Sequence, residues 1–530
     1  MKRSQSTPFI YKAVESVKYL FLVFLAAIFF MALGVSLTWR IQDDTPFLHY
    51  VAFLINEHEF VPYRDIFEIN MPMAYLFHMA VGRIVGYSDL AFHMVDLLWL
   101  SATLTVTWFT MKPVGRAVAF GSCLLFGLLY FGAGPRMTLQ RDVIAILPLA
   151  AALLLVTRRS PNRSIFLINF WLGVLFALAA LIKPYLAIGL PALILYNCFH
   201  DVDGAKSIGA LIKSLIVGSS LALIGFLLTL IPPFLWIWQI GALPSFLEIT
   251  SSYVPLYSQI SGDLEFRGTF ARLLNLVYWY VDFGGFGILL TASIFGAYLL
   301  LAKSVSATTK KLAILLLSLA ILYSLSVAIS GRFWDYHWMP YIYFASLGTA
   351  LLLFSPPSPE CTNRSVMLAI LPLLAFIASV TIITVVPAYD MAQQIIYGQP
   401  PPPPKDGQVD EIAAYLNEHL SPTDTVQPLD WNGGTLHAML MTEAVLATPY
   451  VVDFQFYHHV SNPYIQQLRT HFLTELEQEM PTLIVDVYNA PTVSGLDTTD
   501  KFPELEEFIE QYYQKDYAGN GVDIFRRNDD

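Results

Sequence analysis

Thr38-Trp-Arg-Ile-Gln-Asp-Asp-Thr45 closes the first long apolar segment of the chain. It opens a mixed stretch, 46–88, that contains Tyr63-Arg-Asp-Ile-Phe-Glu-Ile-Asn-Met-Pro72. Two adjacent carboxylates, Asp43 and Asp44, stand at a membrane exit, where an ionisable group is costly to bury and functional by default. The 46–88 stretch is too long and too rich in apolar, aromatic and charged residues for a plain connector. It reads as a structured extramembrane segment with amphipathic helices, built to hold something at the bilayer surface.

Working outward, the 530 residues are 55% hydrophobic and 13% charged, with mean hydropathy +0.55. That composition predicts a polytopic α-helical membrane protein. A span needs about 20 apolar residues, and about eleven candidates are expected: 17–39, 90–111, 117–133, 141–157, 165–182, 184–199, 208–238, 276–302, 312–330, 337–354 and 366–387. No small-residue cleavage site follows the first, so it reads as a retained helix rather than a signal peptide. Lys and Arg concentrate at the N-terminus (Lys2, Arg3, Lys12, Lys18) and in alternate gaps: Lys112/Arg116, Arg158/Arg159/Arg163, Lys206/Lys213, Lys303/Lys310/Lys311 and Arg364. The positive-inside rule therefore puts the N-terminus inside. The gaps 40–89, 134–140, around 183, 239–275 and 331–336 then face outside, as does the tail after 387.

That tail differs in character. Residues 406–530 carry 22 acids and 5 bases, a net of −17, while the first 405 residues are net +6. The overall −11 is the sum of two unlike parts, and neither resembles a nucleic-acid binder. Pro400 to Pro404 forms a stiff polyproline spacer. It divides a membrane domain, 1–399, from a soluble part, 408–530, with 400–407 as linker. In the soluble part, helical spacing at 408–420 and 502–513 alternates with strand patterns at 424–429, 482–488 and 522–526, which predicts a small α/β domain. Cys123, Cys198 and Cys361 imply no disulfide framework. Asn162-Arg-Ser164 matches a glycosylation acceptor but falls in an inner loop.

The unusual polar residues cluster on the outer side. Besides Asp43 and Asp44 they include Arg64, Asp65, Glu68, Asn70, Arg136, Gln140, Arg141, Asp142, Lys183, Tyr185, Tyr253, Tyr257, Arg332 and His337. A carboxylate can take a proton from an acceptor hydroxyl. Arg and Lys grip phosphate, and aromatic rings line a sugar or lipid groove. Acids with bases near the lipid edge suit a lipid-linked phosphate donor. Glu57-His58-Glu59 does not converge on one face and His458-His459 is equally weak, so no metal site is indicated. A divalent cation is compatible with this chemistry, but no ligand set calls for one.

The order of these motifs resembles the GT-C glycosyltransferases. An acid after the first helix is followed by Pro62-Tyr-Arg-Asp65 and Asn70-Met-Pro72, then Ala180-Leu-Ile-Lys-Pro184, then Gly331-Arg-Phe-Trp-Asp-Tyr-His337 with Pro340. The pattern is most similar to the bacterial family-39, RgtA-B-C-D-like set, which includes protein mannosyltransferases and the lipid A aminoarabinose transferase. The chain departs from that set at Met71, where proline is usual, and at Trp338, where tyrosine is usual. The resemblance implies an inverting transferase in a bacterial inner membrane that moves a sugar from a polyprenyl-phosphate donor to a hydroxyl of a cell-envelope acceptor. It implies that Asp43 or Asp44 is the catalytic base, assisted by Asp142, with Lys183, Arg332 and His337 as donor-phosphate or cavity contacts; Arg64, Glu68, Arg141 and Tyr185 of the same polar set are further candidate contacts. Periodicity does not choose between Asp43 and Asp44; Asp44, directly before the Thr45-Pro46 turn, is preferred. The alternatives are an O-antigen ligase or polymerase, and a secondary transporter. The first favours a large Arg/His-rich loop between late helices, and the second favours internal repeats with midplane charges.

Overall fold

In a computed structural model, residues 7–158, 165–201, 208–260, 269–281, 306–355, 408–430, 434–488 and 497–528 are described. The helices of the membrane part are α1 (Thr7–Ser36), α2 (Asp44–Glu57), α3 (Pro72–Val85), α4 (Asp89–Met111), α5 (Arg116–Gly132), α6 (Arg141–Thr157), α7 (Ile165–Ala180), α8 (Leu190–Asp201), α9 (Ile208–Gln239), α10 (Leu243–Glu248), α11 (Val254–Tyr257), α12 (Thr269–Val281), α13 (Ala307–Ser330) and α14 (Met339–Phe354). The acidic part adds α15 (Val409–His419), α16 (Gly434–Thr442), α17 (Pro463–Glu479) and α18 (Pro503–Tyr512), with strands β1 (Thr425–Leu429), β2 (Val445–Leu446), β3 (Leu483–Asp486), β4 (Tyr513–Ala518) and β5 (Asp523–Arg527).

Among the described residues four helices are long and apolar enough to cross a membrane: Lys18–Ser36, α4, α9 and α13. Arg116–Gly132, Phe166–Ala180 and Pro184–Phe199 are shorter apolar helices. The expected span 366–387 and most of 276–302 lie outside the described residues, as does the proline linker. Helix ends follow local chemistry. Ser88 accepts from the Ala91 amide at 3.4 Å and starts α4, with Asp89 favourably placed in the first turn. Pro72 occupies the first turn of α3, where its missing N–H costs nothing. Gly331 ends α13 at φ 72°, a left-handed cap that frees 332–338 to turn back over the bundle.

Packing brings the helices close together. α7 and α9 cross so closely that a Cβ on Gly173 would lie 1.8 Å from the Ala222 carbonyl oxygen, and one on Gly225 would lie 2.2 Å from that of Phe170. Small residues permit such backbone contact between apolar helices. α14 packs against both α5 and α13, and α6 packs against α4 and α7.

The acidic part forms a five-stranded sheet in the order β2-β1-β3-β5-β4. β1 pairs in parallel with β2 and β3; β5 runs antiparallel to β3, and β4 antiparallel to β5. The expected strands at 424–429, 482–488 and 522–526 are present. β4 has no counterpart in the sequence pattern, which marks Tyr513 only as the end of a helix. As an edge strand, Tyr-Gln-Lys-Asp-Tyr-Ala buries little and shows no apolar alternation. This sheet unit rests on the segment between α1 and α4. The Tyr50 hydroxyl donates to the Ala444 carbonyl at 2.8 Å, and the Phe67 amide donates to the Pro449 carbonyl at 2.7 Å. Asp89 joins His437 at 2.8 Å and Arg40 at 3.0 Å, and Arg40 also reaches Asp410 at 2.9 Å.

Candidate active site

The acids of the site sit at helix starts. Asp44 opens α2, and Asp142 lies in the first turn of α6 beside Arg141. Unpaired amides and the helix dipole favour negative charge there. Lys183 follows α7 and precedes a short 3-10 turn, Pro184–Gly189, that carries Tyr185. Arg332, Tyr336 and His337 belong to the turn between Gly331 and α14. Segments far apart in sequence therefore meet at one end of the bundle.

Asp142 is the centre of one half. It is fully buried, and both of its oxygens are engaged. Lys183 Nζ donates to Oδ2 at 2.5 Å and the Tyr185 hydroxyl donates to Oδ1 at 2.8 Å. The Tyr185 oxygen lies 2.9 Å from His337 Nδ1, and His337 Nε2 lies 3.5 Å from Lys183 Nζ. Tyr185 has a single proton, which is committed to Asp142, so it accepts from His337 Nδ1–H. That leaves His337 Nε2 as an acceptor facing the ammonium group. The inferred state is a neutral imidazole wedged between a phenol and a lysine. The Tyr336 ring lies 4.6 Å from Lys183 Nζ, in cation–π range.

Asp44 is the centre of the other half. Arg141 donates to Asp44 Oδ2 and to Asn70 Oδ1. Asn70 Nδ2 in turn donates to Glu68 Oε2 at 2.7 Å, and Glu68 Oε1 accepts from the Ile69 amide at 2.7 Å. Burial acts to raise the Asp44 carboxyl, but the cations of Arg141 and Lys183 more than offset it and hold Asp44 below the usual carboxylate range. Burial dominates at Glu68 and pushes its carboxyl up, against the bonds from Ile69 and Asn70. The two aspartates differ in access. The Asp44 side chain is 34% exposed and that of Asp142 is 0% exposed. Asp44 can meet a ligand from outside; Asp142 is held entirely by its own neighbours.

Arg332 forms the near wall. Its guanidinium lies 3.4 Å from the centre of the Tyr257 ring and donates to the Tyr257 carbonyl at 2.7 Å. Tyr257 follows a π-helical turn, Ile249–Tyr253, and stacks on Tyr253, whose hydroxyl lies 3.0 Å from His458 Nε2 of the sheet unit. The segment 249–257 thus lies between the cluster and the acidic part.

Asp44, Glu68, Arg141, Asp142, Lys183, Tyr185 and His337 form one cluster, with Arg332 beside it. Arg64 is elsewhere: its guanidinium pairs with Asp65 at 2.7 Å and is 53% exposed. Asp43 has φ 55° and does not cap α2 with its side chain. A non-glycine residue held at that angle stores strain, a feature common near functional sites. Sequence reasoning does not single out Tyr336, a buried tyrosine whose ring packs on His337 and lies within reach of the Lys183 ammonium group. Nor does it single out Asp96, a buried carboxylate two turns into α4. An acid beyond the first turn of a largely apolar helix is the signal that could have found it. Among the described residues no group of three or more His, Cys, Asp or Glu side chains is placed to hold a metal ion.

No family model and no curated protein matches the chain. Solved structures do. ArnT from Cupriavidus metallidurans bound to undecaprenyl phosphate superposes with TM-score 0.59 at 13% identity, covering 95% of this chain and 97% of that one. The same protein in the apo state gives 0.58 at 13% identity with the same coverage. The chain has the GT-C fold. The GT-C resemblance of the motifs and the fold therefore agree. An Archaeoglobus fulgidus oligosaccharyltransferase tethered with an acceptor peptide also aligns, with TM-score 0.45 at 10% identity, over 89% of this chain and 69% of that one.

Proposed function

We propose that the protein is an inverting glycosyltransferase that uses a polyprenyl-phosphate sugar and a hydroxyl acceptor in the cell envelope. The observation that carries this reading is the division of labour between two acids at one end of the helices. Asp142 saturates its bonds holding Lys183 and Tyr185, while the partly exposed Asp44 is kept ionised by Arg141. Undecaprenyl phosphate in the ArnT structure supports the same class of carrier here. A transporter reading lacks comparable support, since the charges gather at helix ends rather than at a midplane.

In this reading the donor phosphate lies against Lys183 and Arg332, with the polyprenyl chain in the bilayer. The acceptor hydroxyl oxygen attacks the anomeric carbon from the face opposite the phosphate. The carbon–oxygen bond to phosphate breaks, and the electron pair leaves with the polyprenyl phosphate. The hydroxyl proton passes to Asp44, and the configuration inverts. Lys183 and Arg332 stabilise the charge that grows on the leaving phosphate. The site faces the outer side of a bacterial inner membrane, with the N-terminus cytoplasmic and residues 408–530 outside.

Purified protein incubated with a panel of radiolabelled polyprenyl-phosphate sugars should transfer label to an envelope acceptor. Asn at both Asp43 and Asp44 should abolish the transfer while the protein remains folded. Full activity in that double variant would sink the mechanism.

A further inference from the structure

We propose that Asp96, acting with Tyr130, is a positioning residue that fixes the strap 137–140 on which Arg141 and Asp142 are carried. Asp96 lies seven residues after Asp89, so it sits about 10 Å along α4 from the helix start. It is 1% exposed. A carboxylate at that depth needs a reason to be there.

Its contacts supply one. Asp96 Oδ1 accepts from the Leu139 amide at 3.2 Å and from the Tyr130 hydroxyl. The same hydroxyl lies 3.2 Å from the Met137 carbonyl. Leu139 is at φ 45°, a left-handed conformation that a leucine adopts only when its surroundings enforce it. Thr138 is held from the opposite side: its carbonyl accepts from Thr45 Oγ1 at 3.0 Å, and Thr45 is the residue after Asp44. Three side chains therefore bear on the strap: Asp96 holds Leu139, Thr45 holds Thr138, and Tyr130 gives its one proton to Asp96 beside the Met137 carbonyl. Two come from the apolar bundle, and the third belongs to the helix that carries the candidate base. Arg141 and Asp142 begin two residues after Leu139, so the strap sets how far Arg141 stands from Asp44 and how Asp142 meets Lys183.

The other oxygen of Asp96 contributes less. Oδ2 lies 3.4 Å from His93 Nδ1 without a well-formed hydrogen bond, and His93 Nε2 lies 3.3 Å from Ser36 Oγ. Asparagine keeps the essential oxygen. Its Oδ1 can accept from both Leu139 and Tyr130, while its amide takes the place of the less engaged Oδ2 beside His93. Leucine keeps the bulk and loses the acceptor. Tyr130→Phe keeps the ring and loses the hydroxyl.

The catalytic side of this inference rests on the proposed function, so the experiment has two arms on the full chain. The first is hydrogen exchange read by mass spectrometry over 134–142 and 44–48. Asp96→Leu should speed exchange there by about tenfold, Tyr130→Phe should do so to a smaller degree, and Asp96→Asn should match the wild type. The second is binding of undecaprenyl phosphate, which should weaken by about tenfold to a hundredfold in Asp96→Leu, where the site is misplaced, and recover in Asp96→Asn. Loosening of the strap with unchanged binding overturns the proposal, because Asp96 would then be only structural. Asp96→Asn as damaging as Asp96→Leu overturns it, as does Tyr130→Phe without effect in either arm; these two comparisons decide the matter if Asp96→Leu does not fold. A wild-type protein that binds no undecaprenyl phosphate overturns the proposed function, and the exchange arm then decides the positioning role alone.

Discussion

Asp44→Asn separates the two acids most directly. The substitution keeps the shape and leaves an oxygen to accept from Arg141, but removes the charge and the capacity to take a proton. If Asp44 is the base, its loss should lower kcat by about 10²–10⁴-fold, equivalent to about 3–5 kcal/mol of barrier. The stability cost should be smaller. Breaking a buried ion pair costs about 3–5 kcal/mol when it leaves a naked charge. Here the Asp44 side chain is 34% exposed, Arg141 keeps Asn70, and the new amide still accepts a bond. The loss should be closer to that of one charged hydrogen bond, about 1–3 kcal/mol. The assay is transfer from radiolabelled polyprenyl-phosphate sugar, with monodispersity in detergent and the thermal unfolding midpoint followed in parallel. Asp43→Asn serves as control and should lose less than about threefold, since Arg141 stays committed to Asp44 and Asn70. A folded Asp44→Asn enzyme with near wild-type turnover, or an Asp43→Asn enzyme that is equally dead, refutes the assignment.

Other consequences arise from the same geometry. Lys183→Met should leave Asp142 buried without its cation and lower both stability, by about 3–5 kcal/mol, and donor affinity. Thermal unfolding and undecaprenyl-phosphate binding check the two effects. Gly173→Ala should fold poorly or not at all, because its Cβ meets the Ala222 backbone and not a movable side chain; expression level and unfolding midpoint report it. In the sheet unit, burial and the nearby Asp430 raise the Asp453 carboxyl from 3.8 to about 8, and burial with Asp523 raises Asp486 to about 6. The folded unit thus holds protons that the unfolded chain releases. The stability these two carboxyls contribute should be fully present below about pH 4 and decline as pH rises through about 6 and about 8. Limited proteolysis of 408–530 should be faster at pH 9 than at pH 5, and Asp453→Asn should flatten the upper part of that profile. Deletion of 408–530 should leave undecaprenyl-phosphate binding measurable if Lys183 and Arg332 hold the phosphate.

Much of this is legible in the chain itself. Long apolar segments need no partner to declare themselves, because a helix in lipid must satisfy its backbone internally. The helices at 89–111, 208–239 and 307–330 appear where hydropathy puts them. The candidate polar residues are legible as well, since charge is expensive beside a bilayer and stands out against apolar sequence. Asp44, Asp142, Lys183 and His337 all stand out without knowledge of any contact. The limits are equally physical. Period and spacing say nothing about which of two adjacent aspartates turns toward Arg141, because the backbone at Asp43 is in a strained, non-repeating conformation. Arg64 has the right chemistry in the right motif, yet it is half exposed and satisfied by its neighbour Asp65. β4 carries no pattern because an edge strand can be polar on both faces.

The sequence alone pointed to a membrane protein of helices with an acidic α/β appendage, and it marked the polar residues that gather at one set of helix ends. Those conclusions rest on local free energies: burial of apolar side chains, the cost of charge in lipid and the stiffness of proline. Only the tertiary structure decided how the roles divide. Asp142 is fully occupied by Lys183 and Tyr185, Asp44 stays partly open beside Arg141, and Asp96 anchors the strap that leads into Arg141 and Asp142. These facts depend on contacts between residues 41 to 152 positions apart. No local preference encodes such contacts; they exist only once the bundle is packed.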